Sequence, residues 1–358
     1  MPILLEVAAV VLAHAVGTWL ITYLLHSTVL HLLARAVERL RDDPALHAVA
    51  WRTALLAPLF TASLHTALPF GSSLRMSAAT AGAVLGPRPV LALLVVVLWC
   101  VLIAVRLIAV ARGEWRARAA LGERHCCTDA RLQEMLASHA LAAGVRRTPK
   151  LTTSHRISSP AALAPGEVCI PAGIFDQLQP AEQHALFAHE LAHHARRDPL
   201  WCGTAAIVAA VCCFQPLNHR AVRRLLRACE YAADARAVRV TANPLALARA
   251  LAALAPYVLH QPQPRAAAAG SPLFERVRRI LDETAPQHRS SRRRAVMLAG
   301  ALIGVCLAIG PGVNFTVHNA ANSIPALTPS RNEPSPQMLA LRRVQRDVLA
   351  AERSIMRR

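Results

Sequence analysis

The feature that most constrains this chain is the length of its apolar runs. Residues 90–111 (VLALLVVVLWCVLIAVRLIAVA) carry a single charge, and residues 295–313 (AVMLAGALIGVCLAIGPGV) carry none. Each is about as long as the roughly 20 residues a helix needs to cross a bilayer core. Two further runs, Val7 to about Leu30 and Ala48 to Leu68, extend the set to four expected spans, the second interrupted by Arg52 and Pro58. The first has no basic leader and exceeds a signal's apolar core, so it reads as a retained helix. Composition agrees, with 54% hydrophobic and only 17% charged residues, which argues against an ordinary soluble globule.

The distribution of charge sets the expected topology. Forty Lys and Arg stand against 21 Asp and Glu, a net +19. Aromatics make up only 4% and no stacking module or zinc finger appears, so no direct nucleic-acid binding is expected; the lipid bilayer is the simpler partner for this charge. Arg35 to Arg52 holds four basic residues, residues 112–294 hold 26, and the loop between the second and third runs holds two. Basic segments stay on the cytoplasmic side, which predicts a multi-pass cell-membrane protein with its large loop in the cytoplasm and both ends outside. The expected domains are an N-terminal membrane domain of three helices over 1–111, a cytoplasmic domain over 112–294, a final span over 295–313 anchored by Arg292 to Arg294, and an extracytoplasmic polar tail over 314–358. Nine cysteines show no C-x-x-C spacing and several lie in apolar runs, where Cys acts as a small hydrophobe; no disulfide framework is expected.

The chemistry concentrates in PAEQHALFAHELAHHARRDPL, residues 180–200. Pro180 suits a first helical turn and Glu182 complements the helix dipole. His189 and His193, four residues apart, project from one face and can grip one metal. Glu190 then sits beside the metal-bound water as a general base and not as a ligand. An open catalytic zinc site needs a third protein ligand, and ACEYAADARA places Glu230 and Asp234 four apart on another helical face. Glu230 is the natural third ligand, and Asp234 can hold the free N–H of a ligand histidine. Neighbouring His184 and His194 are expected to face solvent, and His125, Cys126 and Cys127 match no metal spacing.

HELAHHARRDPL followed by CEYAADA resembles the BlaR/MecR-type membrane zinc metallopeptidases, an antirepressor and signal-transducer group of gluzincin type, and ISSPAALAPGEVCIPAGIFDQ resembles that family's strand region before the active-site helix. The resemblance implies an α-helical integral membrane protein with an inserted α+β gluzincin-type zinc protease domain. It implies zinc held by His189, His193 and Glu230, with Glu190 as base and Asp234 behind the ligands. The implied partner is a protein substrate, a BlaI-type transcriptional repressor or the enzyme itself. HtpX-like quality-control proteases share H-E-x-x-H and E-x-x-x-D and form the alternative, alongside a non-catalytic transducer. The family's penicillin-binding sensor domain is not expected here. The single lysine, Lys150, has Arg147 three residues before it, which excludes Ser-x-x-Lys, and direct beta-lactam sensing is not expected.

Two structural expectations complete the reading. Ala162 to Ile170, alternating and partly apolar between Pro160 and Pro171, is expected to form an edge strand that holds extended substrate by strand addition. Residues 200–217 are apolar but short. Because His193 and Glu230 must meet at one metal, this segment is expected to leave and return on the same side, as a re-entrant or membrane-surface helix.

Overall fold

Asp43 shows how locally the helices are specified: its carboxylate accepts hydrogen bonds from the Ala45 and Leu46 amides, and Pro44 follows in the first turn, where its missing N–H costs nothing. In the computed structural model, which describes residues 2–68, 73–77, 89–157, 159–163, 165–173, 175–259, 272–282 and 292–316, this cap separates α1 (Pro2–Leu40) from α2 (Pro44–Ala67). The described residues all fall in one unit ending at Thr316. The expected tail lies outside them from residue 317 onward, as does most of the loop before the third span.

After β1 (Ser73–Ser77), the third apolar run forms α3 (Pro89–Ala120), which continues past the expected end of the span to take in Arg112, Arg116 and Arg118. Two described helices hold stretches long and apolar enough to cross a membrane: Ala15–Leu40 in α1 and Val96–Ala120 in α3. Among the described residues none of that α3 stretch is fully buried, although Trp99 packs edge-on against Phe214. Val97, Leu98, Val101 and Val105 are all exposed, and an apolar face this continuous is a surface for lipid or another apolar partner. The other two expected spans, α2 and α10 (Arg292–Ile309), do not reach the same combination of length and apolarity.

Instead α2 is the centre of a helical bundle. It packs against α1, α10 and α7 (Leu217–Thr241). Leu30, Trp51, Leu55, Leu225, Leu302 and Cys306 share the core, and Ala48, Ala50, Ala54 and Ala57 let the neighbours come close. Beyond α10, β6 (Gly312–Thr316) pairs in parallel with β1, Ser73 opposite Gly312 and Ser77 opposite Thr316. The chain needs glycine at 312, where a Cβ would collide with the His65 ring.

The second core forms around a four-stranded sheet of β2 (His125–Cys126), β3 (Lys150–Ser154), β4 (Ala161–Leu163) and β5 (Glu167–Pro171), ordered β2-β3-β5-β4. β3 and β5 run parallel; the outer strands are antiparallel to them. Val168 and Ile170 pack under α4 (Ala130–Ala142) and α5 (Pro180–Arg196), against Leu136, Leu186, Phe187 and Leu191. The expected strand from Ala162 to Ile170 is therefore corrected. It is a hairpin in which only β4 lies at the edge, while Val168 belongs to an interior strand and is fully buried. Alternation alone does not separate one nine-residue strand from two short ones joined by a turn.

Residues 200–217 leave and return. α6 (Asp198–Val211) runs out from the end of α5, a turn at 212–216 reverses the chain, and α7 runs back. Arg52 ties the two ends together, with its Nη2 2.5 Å from Asp198 at the start of α6 and 3.6 Å from the Cys229 sulfur on α7. At the turn, Asn218 donates to the Tyr23 hydroxyl at 3.0 Å and Gln215 to the Thr28 hydroxyl at 3.3 Å, both on α1. α8 (Pro244–Leu259) and α9 (Pro272–Leu281) close the fold over α5 and α7.

Candidate metal centre

The site begins with the local rules of α5. Glu182 accepts the Gln179 amide at 3.0 Å, closing the first turn, and Leu186, Phe187 and Leu191 anchor the helix in the second core. His189, Glu190 and His193 are thereby held on a buried helix, at 4%, 6% and 9% exposure. α7 crosses α5 and presents Glu230, whose side chain remains 42% exposed.

The structure brings His189, His193 and Glu230 together, with one donor atom from each lying within 4.8 Å of the others. The two Nε2 atoms are 3.2 Å apart, and each lies 3.7 Å from a Glu230 carboxylate oxygen. Ligands about 2.0–2.1 Å from a tetrahedral zinc stand roughly 3.3 Å from one another. Two imidazoles and a carboxylate are also the donor chemistry that zinc takes, so the residues fit a zinc ion with little movement.

Each histidine is oriented from behind. Asp234, one turn after Glu230, has Oδ1 3.0 Å from His189 Nδ1. Asp198 has Oδ2 2.9 Å from His193 Nδ1. Carboxylates on Nδ1 leave Nε2 to face the metal. Asp198 reaches His193 because Arg197 adopts the left-handed conformation, φ 55°, which ends α5 and turns the chain so that the aspartate folds back on the preceding helix.

Two residues central to this geometry escape a reading of spacing. Asp198 lies in the quoted RRD segment but beyond a helix break, so helical periodicity gives it no partner. Arg276 comes from α9, far along the chain, with no motif around it. Its Nε and Nη2 each lie 2.8 Å from an Asp234 oxygen, and Nη1 lies 3.0 Å from Glu230. One guanidinium therefore spans both carboxylates of the E-x-x-x-D pair.

Charge follows geometry. Burial opposes ionisation of Glu230, but its hydrogen bond with His189 and the charges of Arg276 and His193 hold its carboxyl well below the usual range. Asp198 is likewise held low, against burial, by His193, Arg196 and Arg52. Burial lowers the His189 pKa, yet Asp234 and Glu230 outweigh it and push the group up to about 10. The carboxylates around His189 thus favour its protonated form when no metal competes for it.

The remaining candidates fall elsewhere. His194 is not solvent-facing, because its Nε2 lies 3.0 Å from the Glu167 carbonyl and ties α5 to β5. His184 meets His139 on α4 at 2.9 Å. Cys127 joins the second core, and Cys126 is exposed.

Residues 73–245 match the family model of the BlaR1 peptidase M56. The matched segment contains His189, Glu190, His193, Glu230 and Asp234, and the match supports the BlaR/MecR-type family. Comparison with the curated proteins returns no match.

Proposed function

We propose, with the M56 match as premise, that the chain is a membrane-bound zinc endopeptidase. The family suggests a membrane-associated metallopeptidase or signal transducer; the observation that carries the enzymatic reading is the approach of the two Nε2 atoms and Glu230, each histidine backed by its own aspartate. Zinc at this position would supply Lewis acidity to water and to the scissile carbonyl. Glu190 takes the proton of the attacking water and returns it to the leaving amine. Asp234 and Asp198 hold the imidazoles in one tautomer through the cycle, and Arg276 keeps Glu230 and Asp234 from drifting apart. The edge strand β4, which contacts α5, holds the substrate backbone in extended form.

The substrate we infer is a cytoplasmic protein, either a BlaI-type repressor or the chain itself in a regulatory pathway. In this reading residues 1–111 and 295–313 lie in the bilayer, with the uncovered apolar face of α3 toward lipid. Residues 112–294 form the cytoplasmic catalytic domain, into which the basic residues are concentrated. The α6–α7 hairpin enters the membrane boundary and returns, which lets His193 and Glu230 meet on one side.

The deciding experiment pairs zinc content of the detergent-purified protein with proteolysis of a candidate repressor, for wild type and Glu190→Ala. Near-stoichiometric zinc in both, with cleavage in wild type alone, is expected. Absence of zinc, or cleavage indifferent to Glu190, overturns the reading. Zinc retained with no cleavage of any substrate by wild type favours the non-catalytic transducer.

A further inference from the structure

One side chain of the helical bundle leaves it for the metal centre. Arg52 on α2 places its Nη2 2.5 Å from Asp198 Oδ1 and 3.6 Å from the Cys229 sulfur, and its guanidinium carbon stands 5.4 Å from the centre of the Trp201 ring. The ion pair is shielded, with the Arg52 side chain 16% exposed and that of Asp198 4%. Surface pairs contribute little, whereas removing one member of a buried pair leaves the other charged and poorly solvated.

The two oxygens of Asp198 have separate duties. Oδ1 accepts from Arg52, and Oδ2 lies 2.9 Å from His193 Nδ1. Rotating the carboxylate would disturb both contacts together. Arg196 also approaches, with its Nη2 3.1 Å from Oδ2, but that nitrogen makes no hydrogen bond among the described residues. It adds charge without direction. Arg52 therefore fixes the plane of the carboxylate, and the carboxylate fixes the ring.

A second tie runs the same way. Asp42, in the turn that leads into α2, pairs with Arg279 on α9, three residues after the Arg276 that holds Asp234. The aspartates behind both histidines thus trace back to α2 or to its leading turn. Asp42 is half exposed, where ion pairs are weak, so Arg52 is the stronger tie.

We propose that Arg52 is a positioning residue for the zinc ligand His193, acting through Asp198, so that α2 sets how firmly the centre holds its metal. The inference rests on the zinc reading above. Its coupling is reciprocal: whatever shifts α2 changes the affinity for zinc, and zinc in turn steadies α2.

The test uses the detergent-purified full chain and two readouts. Zinc affinity is measured by competition with a chromophoric chelator. In metal-free protein, diethyl pyrocarbonate labelling of His189 and His193 is located by mass spectrometry. Arg52→Gln should weaken zinc binding about tenfold and speed labelling of His193 severalfold, with His189, held by Asp234, unchanged. In an Asp198→Asn background the same substitution should add nothing, because the relay is already cut; a purely structural role would add its full effect. Arg224→Gln removes another arginine of the bundle, one that stands over Trp51 and pairs with Glu38, and should move neither readout. Unchanged readouts in Arg52→Gln, additive losses with Asp198→Asn, or equal losses in Arg224→Gln would overturn the proposal. Should Arg52→Gln fail to fold, Arg52→Lys keeps the charge but not the planar fork; it should weaken zinc binding severalfold, again only while Asp198 is present. A wild type that takes up no zinc overturns the zinc reading, and the labelling of His193 then decides the role of Arg52 by itself.

Discussion

At the residue scale, the centre is built from pairs in which each functional group has a keeper. His189 has Asp234, His193 has Asp198, and Arg276 clamps Asp234 and Glu230. Partners one step behind metal ligands typically contribute 10–100-fold in metal affinity. Arg276→Gln is therefore expected to weaken zinc binding by about tenfold or more, read by competition with a chromophoric chelator; unchanged affinity would show that the clamp is idle. Protonation gives an independent readout. With its pKa raised to about 10 without metal, His189 contributes stability that is complete below its ordinary value of 6.5 and fades as pH rises through 10. Zinc uptake at pH 8 must displace that proton. Calorimetry in buffers of different ionisation enthalpy should find about one proton released per zinc, and finding none would mean that His189 is already neutral. Arg197 makes a separate prediction. It is exposed and left-handed, a conformation that costs a non-glycine residue about 1–2 kcal/mol. Arg197→Gly should stabilise the protein by about 1 kcal/mol in denaturant unfolding, and a loss of that size would show that the side chain holds the turn.

At the element scale, the spacing of residues on single helices carried most of what was legible. His189, Glu190 and His193 lie on one helix, and Glu230 and Asp234 on another, because i and i+4 always share a face. Where the chain leaves a helix, that logic stops. Asp198 is five residues from His193, but the left-handed turn at Arg197 separates them, and no periodicity spans a reversal of direction. The strand region failed for a related reason: which strand is interior is decided by β3, a partner outside the segment. The corrected topology moves the proposed substrate contact to β4. A substrate N-methylated on the backbone amides flanking its scissile bond loses strand-type hydrogen bonds of about 1 kcal/mol each. Cleavage should fall about fivefold or more per methyl group in kcat/KM, whereas equal cleavage of methylated and unmodified peptides would remove strand addition as the binding mode.

At the scale of the whole molecule, the apolar runs indicated a helical architecture, and the structure puts one of them to a different use. α3 keeps its apolar face uncovered, while α2 surrounds itself with other helices and sends Arg52 to Asp198, beside the metal centre. An arginine inside an apolar run reads in isolation as a weak span; in the folded chain it joins the two cores. The pairing of β1 with β6, across most of the chain's length, and the arrival of Arg276 on α9, 42 residues beyond Asp234, were equally illegible, because each joins segments with no shared pattern.

The position of Arg276 along the chain also sets an order of events in time. During synthesis from the N-terminus, His189, His193, Asp198, Glu230 and Asp234 all leave the ribosome before the guanidinium that spans the last two. A nascent chain halted after α8 already contains every proposed ligand and both histidine keepers, yet the two carboxylates of its E-x-x-x-D pair lack the Arg276 guanidinium. The finished geometry must wait for α9, and the β1–β6 strand pair that closes the bundle forms later still.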